Sequence, residues 1–125
     1  MKLPDFLWWL PIGSVPEIEP DHLKAWLAKN RNVQIVDART APEFESGTIG
    51  KAQHAPITGM PGSLAQLDLD PEKPVVMLCL SGHRSRPGTR WLRARGYEAY
   101  SLKGGITAWR GAGYSTRRPS QTPKK

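Results

Sequence analysis

The sequence predicts an α/β fold with a mainly parallel central sheet. Two short apolar runs, residues 33–37 and 75–79, are the clearest strand candidates, and the second contains no charge. Short runs of this kind are typical of parallel strands whose two faces are both covered. Segments with helical character follow both runs, and this alternation favours a parallel sheet flanked by helices. A chain of 125 residues is long enough for one such domain and too short for two.

The first helix is predicted over residues 20–29. Its apolar residues Leu23, Trp26 and Leu27 recur at helical spacing, three and four positions apart, which places them on one face. Two shorter helices are predicted between the two strands, over residues 42–46 and 63–69.

The chain after the second strand predicts a further helix, strand and helix. A helix is expected over residues 84–95, because Gly96 is a typical helix stop. A strand is expected over residues 98–102, and a last short helix over residues 104–109.

Residues 115–125 form a basic C-terminal tail that is predicted to be disordered. The net charge of the chain is +7, and Arg117, Arg118, Lys124 and Lys125 carry four of these charges, which leaves +3 for the rest. The tail is rich in proline and serine and has no apolar side chain to bury. Because the basic excess is not a patterned face of the folded part, no nucleic-acid partner is predicted.

Residues 1–14 form an apolar N-terminal arm before the predicted domain at 15–114. Its apolar stretch is interrupted by two prolines and an aspartate, which makes it too short to span a bilayer and a poor secretory signal. No transmembrane segment is therefore predicted. Either the arm packs on the domain, or Trp8 and Trp9 form an exposed patch for a partner, a second copy of the chain or a membrane surface.

Cys79 is the only cysteine, so no internal disulfide can form. One thiolate cannot make a structural metal site without histidines at ligand spacing, and His22, His54 and His83 show no such spacing. No metal and no cofactor are therefore predicted. A free thiol is typical of a reducing compartment, and we expect a cytoplasmic protein. The thiol is either an inert buried side chain or a reactive group.

The residues that follow Cys79 favour a reactive group. The cysteine ends the second strand, and ligands of open parallel sheets bind at the carboxyl ends of strands. Backbone N–H groups in a loop that leads into a helix favour an anion such as a thiolate. Gly82 allows the loop to turn. Ser81 and Ser85 offer hydroxyl donors, and Arg84 adds positive charge.

The loop at 79–85, with the pattern Cys-x-Ser-Gly-x-Arg-Ser, resembles the active-site loop of rhodanese-type sulfurtransferases. Three further segments resemble family motifs in the same order along the chain: Asp-Ala-Arg at 37–39 with Glu-Phe at 43–44, Ala-Gln-His-Ala-Pro at 52–56, and Leu-Lys-Gly-Gly-Ile-Thr-Ala-Trp at 102–109. The resemblance covers residues 15–114. It implies a single rhodanese-like domain with a mainly parallel sheet of five strands.

The resemblance also implies a transfer of sulfur in two steps. The Cys79 thiolate takes the outer sulfur of a small-molecule donor, thiosulfate or a persulfide, and the resulting Cys79 persulfide gives it to a thiol or protein acceptor. Arg84 is expected to bind the anion of the donor. The rest of the cradle is expected to come from Leu80, Ser81, Gly82, His83 and Ser85.

Asp37 and Arg39 match family positions beside the loop, where they either support the site or form an ordinary structural ion pair. His54 is expected to be structural. Trp109 is expected to pack in the core beneath the loop.

Three positions depart from the family pattern. Thr48 stands in place of a histidine, and Gly-Lys at 50–51 stands in place of Pro-Gly. Both changes are expected to affect only a surface loop. Leu80 stands where an arginine is common directly after the cysteine. It removes a cation from the rim of the pocket and is expected to shift the preference for sulfur donors.

Two other functions remain open. A cysteine phosphatase or arsenate reductase also surrounds a thiolate with amides and an arginine, but it needs one residue more than the four between Cys79 and Arg84. Arg86 follows after six, so neither arginine has the spacing for a phosphoryl group. The other alternative is a catalytically weak rhodanese-like module that binds a protein partner or carries sulfur for one.

Overall fold

The computed structural model describes residues 15–29, 32–82 and 84–119. The predictions for the N-terminal arm with Trp8 and Trp9, for His83 and for residues 120–125 lie outside this description. In chain order the elements are β1 (Glu17–Ile18), α1 (Pro20–Ala28), β2 (Gln34–Asp37), α2 (Ala41–Ser46), β3 (Gln53–His54), a 3₁₀ turn (Ile57–Gly59), α3 (Gly62–Ala65), β4 (Val75–Leu78), α4 (Arg86–Ala94), β5 (Ala99–Leu102) and α5 (Gly105–Gly111).

The strands form one sheet in the order β1-β5-β4-β2-β3, and every pairing between them is parallel. The predicted α/β fold with a parallel sheet of five strands is therefore confirmed. The two apolar runs seen in the sequence are β2 and β4, which pair with each other at the centre of the sheet. All four residues of β4 are buried, as expected of a parallel strand covered on both faces.

Helices cover both faces of the sheet. One face packs against α1 and α5, through a core cluster that includes Leu23, Ile106 and Trp109. The other face packs against α3 and α4, through a second cluster that includes Leu64 and Leu92. Trp109 is buried in the first cluster, and its indole N–H donates to the Ser115 carbonyl oxygen at 2.9 Å.

The third helix is shorter than the predicted span of residues 63–69, because it ends at Ala65. Leu67 and Leu69 still pack against the core, but they do so from the segment after the helix. The side chain of Gln34 holds the end of this segment: its Nε2 donates to the Asp70 carbonyl oxygen at 2.9 Å, and its Oε1 accepts from the Asp70 N–H at 2.7 Å. A side chain from β2 thus replaces the backbone partners that a longer helix would supply.

The start of the predicted C-terminal tail pairs with the domain. Thr48 and Arg117 form an antiparallel bridge with two backbone hydrogen bonds, of 2.8 and 2.9 Å. The structure therefore differs from the expected disorder at this point, because backbone pairing holds a segment that has no apolar side chain to bury. Within the described residues, no helix has the length and apolar character needed to cross a membrane.

Candidate active site

The predicted site loop begins where the central strand ends. Cys79 directly follows β4, and neighbouring Leu78 is paired in register with Asp37 of β2. The first two carbonyl groups of the loop face α5: the N–H of Ile106 donates to the Cys79 carbonyl at 2.8 Å, and that of Thr107 donates to the Leu80 carbonyl at 3.1 Å. The N-terminal amides of α5 thereby hold the outer side of the loop.

This contact requires a glycine at the start of α5. Gly105 has a φ of +61°, and a Cβ at this position would lie 2.5 Å from the carbonyl oxygens of Cys79 and Leu80. Both the backbone conformation and the close approach exclude a larger residue without movement of the loop. Gly105, the second glycine of the pair, is therefore part of the site as well as the start of α5.

The sulfur of Cys79 lies inside the turn of the loop. The backbone N–H of Gly82 donates to Sγ at 2.9 Å, and Ser85 Oγ lies 3.7 Å from Sγ. Gly82 adopts a φ of +97° at this turn, a conformation that favours glycine. Cys79 has no exposed surface in this structure. The loop thus places an amide donor where it can stabilise negative charge on the sulfur.

A chain of buried hydroxyl groups supports the end of the loop. Ser85, Thr89 of α4 and Ser101 of β5 are all fully buried. Thr89 Oγ1 donates to the Ser85 carbonyl oxygen at 3.0 Å and lies 2.8 Å from Ser101 Oγ. Ser85 Oγ donates to the Gly82 carbonyl oxygen at 3.3 Å. The sequence alone does not reveal a role for Thr89 or Ser101, because that role depends on the packing of α4 against β5.

Arg84 forms a two-point salt bridge with Glu43 of α2. Its Nη1 and Nη2 donate to Glu43 Oε1 and Oε2 at 3.2 and 3.1 Å. Both side chains are about one-third exposed, at 34% for Arg84 and 30% for Glu43. Glu43 also closes a capping box, because its Oε1 accepts from the backbone N–H of Thr40 at 3.0 Å. The predicted anion binder is therefore already paired with a carboxylate.

Each group of this ion pair shifts the pKa of the other. The hydrogen bond from Arg84 lowers the pKa of Glu43 from 4.5 to about 2, with Thr40 adding to the effect. The hydrogen bond from Glu43 is also the main cause that raises the pKa of Arg84, and the charges of Cys79 and Asp37 add to it. The guanidinium group thus lies within electrostatic reach of the sulfur, although its direct partner is Glu43.

Asp37 and Arg39 form a buried ion pair beside the loop. Arg39 Nη2 donates to Asp37 Oδ2 at 2.7 Å, and Arg39 Nε donates to Oδ1 at 3.0 Å. Arg39 also donates to the carbonyl oxygen of Gly47, the C-terminal cap of α2. The pair therefore fixes the position of α2, the helix that carries Glu43.

Thr48 is buried, and the prediction that it lies in a surface loop is wrong. Its hydroxyl donates to Asp37 Oδ2 at 2.8 Å, which supplies a further hydrogen bond to the buried carboxylate. His54 has structural contacts, since its Nε2 lies 2.7 Å from the Arg39 carbonyl oxygen and its ring stacks on Phe44 at 4.5 Å.

Two predicted cradle residues, Leu80 and Ser81, are exposed on the loop. Leu80 has 44% of its surface exposed, and among the described residues it stands out as the exposed large hydrophobic side chain. The structure thus brings Gly82 and Ser85 to the sulfur and pairs Arg84 with Glu43. Within the described ranges, no group of three or more His, Cys, Asp or Glu side chains is placed to hold a metal ion.

Comparison with known proteins identifies the family of this chain. Residues 19–112 match the family model of the rhodanese-like domain. A sulfurtransferase of Allochromatium vinosum is 35% identical over 96 residues, which cover 76% of this chain and 88% of that protein. The thiosulfate sulfurtransferase GlpE of Stutzerimonas stutzeri is 34% identical over 88 residues, or 70% of this chain and 79% of that protein.

Solved structures show the same fold. A rhodanese-like domain protein from Staphylococcus aureus superposes with a TM-score of 0.68 at 33% identity and covers 76% of this chain and 91% of its own. A rhodanese-related protein from Thermoplasma volcanium superposes with a TM-score of 0.73 at 22% identity, and the match covers 82% of this chain and 98% of that protein. At this identity the match supports the fold alone. With the cysteine loop at the end of the central strand and a family match across most of the domain, the chain belongs to the rhodanese-like domain family.

Proposed function

We propose that this chain is a sulfurtransferase that moves a sulfane sulfur from thiosulfate or a similar donor to a thiophilic acceptor through a Cys79 persulfide. Its curated relatives support sulfur transfer in general, because they are named sulfurtransferase or thiosulfate sulfurtransferase. The choice of thiosulfate and the covalent intermediate are our proposal for this chain.

The observation that carries the proposal is the hydrogen bond from the Gly82 N–H to Cys79 Sγ at 2.9 Å. A thiolate and a persulfide both carry negative charge at the end of the cysteine side chain, and an oriented amide stabilises either one. The α5 amides bind the carbonyl groups of Cys79 and Leu80 from the other side, so the loop keeps its shape while the sulfur changes.

The first step transfers one sulfur atom and no proton. The Cys79 thiolate attacks the outer sulfur of thiosulfate, the Sγ–S bond forms, and the S–S bond of the donor breaks. The electron pair of that bond leaves with sulfite, so no external oxidant or reductant is needed. In the second step a thiol or protein acceptor attacks the outer persulfide sulfur and restores the Cys79 thiolate.

The burial of Cys79 limits how a donor reaches the sulfur. Because Sγ is covered in this structure, we expect only the narrow sulfur end of a donor to reach it, while the rest of the donor stays at the rim. We expect the exposed Leu80 and Ser81 and the partly exposed Arg84 to contact this outer part. Asp37 and Arg39 support the site indirectly, since they hold α2 and through it Glu43.

The alternative is a catalytically weak module that binds a protein partner or carries sulfur for it. Such a module has the same fold but does not turn over repeatedly. A cyanide assay separates the two: the purified chain receives thiosulfate and cyanide, and thiocyanate is measured over time. Repeated turnover that is lost in Cys79→Ser supports the enzyme, whereas thiocyanate formation that stops after a single transfer per chain supports the module. Thiocyanate formation equal in both proteins contradicts a role for Cys79. The cytoplasmic location and a homodimer or partner contact through Trp8 and Trp9 stay predictions.

A further inference from the structure

The exposed position of Leu80 is fixed by the fold. Its carbonyl oxygen accepts from the Thr107 N–H at 3.1 Å, and Gly105 lies against its backbone. The backbone of Leu80 therefore cannot turn the side chain into the core without breaking the contact between the loop and α5. The residue directly after Cys79 in the chain therefore keeps an apolar side chain with 44% of its surface exposed.

The charge of Arg84, near the other end of the loop, is largely neutralised. Both terminal nitrogens of Arg84 donate to Glu43, and the capping box holds the Glu43 carboxylate in place through Thr40. A donor with two negative charges therefore meets a paired arginine and a fixed carboxylate at the rim. For a dianion the attraction from Arg84 and the repulsion from Glu43 both double and largely cancel, so the pair does not offset the larger cost of desolvating a second charge.

Resting on the proposed function, we infer that the rim selects donors with a single negative charge and an apolar group at the end away from the sulfane sulfur. The class is that of organic thiosulfonates and organic persulfides, in preference to the inorganic dianion thiosulfate. The sulfane sulfur passes into the loop to Cys79, while the apolar group stays outside and packs against Leu80. Leu80 and Glu43 are then the residues that determine donor specificity.

For a thiosulfonate, the step balances in the same way as for thiosulfate. The Cys79 thiolate attacks the terminal sulfur, the Sγ–S bond forms, and the bond between that sulfur and the sulfonyl sulfur breaks. The electron pair leaves with the sulfinate, and two negative charges are present before and after the step.

Three donors separate the two parts of the inference. Benzenethiosulfonate and methanethiosulfonate have the same charge and differ in the apolar group, whereas thiosulfate adds the second charge. The value of kcat/KM is measured for each donor with cyanide as acceptor. Ratios between donors are then compared across variants, because these ratios cancel changes in the amount of active protein.

The Leu80 contact is tested with Leu80→Asn and the apolar control Leu80→Met. In Leu80→Asn we expect the preference for benzenethiosulfonate over methanethiosulfonate to fall about fivefold, because about 40 Å² of buried apolar contact with the larger donor is lost. In Leu80→Met the preference should persist. An unchanged preference in Leu80→Asn overturns this part of the inference.

The charge effect is tested with Glu43→Gln, which keeps an acceptor for the capping box. We expect kcat/KM for thiosulfate to rise about fivefold relative to methanethiosulfonate, and the matched change Glu45→Gln on the exposed side of α2 to leave this ratio unchanged. An equal change for both donors, or the same effect in Glu45→Gln, overturns it. If no donor places sulfur on Cys79 in the unaltered chain, the proposed function itself fails, which is a different result from a wrong donor preference.

Discussion

Glu43 and Arg84 join helix α2 to the cysteine loop through two hydrogen bonds of 3.2 and 3.1 Å across 41 positions of sequence. The same carboxylate accepts from the Thr40 N–H, so the N-terminus of α2 and the loop share one acceptor group. The position of the loop cation therefore depends on how α2 is held, and α2 is held in turn by the buried Arg39.

We predict that this pair stabilises the fold in a pH-dependent way. Because the pKa of Glu43 is lowered to about 2 in the folded state, the unfolded chain binds the proton first as the pH falls below 4.5. The stabilisation is complete above pH 4.5 and is lost as the pH falls towards 2. The partly exposed pair is expected to contribute about 1 kcal/mol after allowance for solvent screening.

Urea unfolding of the unaltered chain and of Glu43→Gln measures this contribution. We expect a difference in unfolding free energy of about 1 kcal/mol at pH 7 that shrinks to about half by pH 3. Glu45→Gln serves as the matched control, since Glu45 is exposed on the same helix. A difference for Glu43→Gln that is the same at both pH values would contradict the account of the pair.

A second prediction concerns the hydroxyl of Thr48. Thr48→Val keeps the shape of the side chain but removes the hydrogen bond of 2.8 Å to the buried Asp37. We expect a loss of about 2 kcal/mol in unfolding free energy, the usual scale for a buried hydrogen bond to a charged group. The same change at the exposed Thr107 should alter stability by less than about 0.5 kcal/mol. If Thr48→Val lowered the unfolding free energy no more than Thr107→Val, the hydroxyl of Thr48 would not be needed for stability.

A third prediction concerns the glycine beside the loop. Gly105→Ala places a Cβ 2.5 Å from the backbone of Leu80 at a φ of +61°. We expect a loss of about 3 kcal/mol and displacement of the loop, with sulfur transfer falling more than stability alone explains. Gly111→Ala is the matched control in the same helix, because a Cβ there meets nothing within 4 Å. Gly111→Ala should leave sulfur transfer unchanged. If Gly105→Ala also left sulfur transfer unchanged, the contact between Gly105 and the loop would have no role in transfer.

The parts of the site that could be predicted from the sequence are those that follow from local order. Cys79 could be placed at the end of a strand because the four residues before it are uniformly apolar, and they form the fully buried β4. Gly82 could be placed at a turn because only glycine adopts its backbone conformation without strain. Both features are carried by neighbouring residues.

The parts that could not be predicted depend on contacts between distant elements. The Thr40 and Glu43 spacing is a visible capping-box signal, but nothing in it reveals that the same carboxylate binds Arg84. Thr48 looked like a surface residue because its partner, Asp37, is brought to it by the turn after α2. The hydroxyls of Thr89 and Ser101 meet only because α4 packs on β5.

The central claim is that Cys79 carries the transferred sulfur, and intact-mass measurement tests it most directly. The purified chain and Cys79→Ser are each incubated with thiosulfate and, separately, with benzenethiosulfonate, and the modified peptide is then identified. We predict a gain of one sulfur atom on the peptide that contains Cys79, its removal by cyanide, and no gain in Cys79→Ser. An unchanged mass with both donors, or a sulfur retained in Cys79→Ser, would contradict the claim.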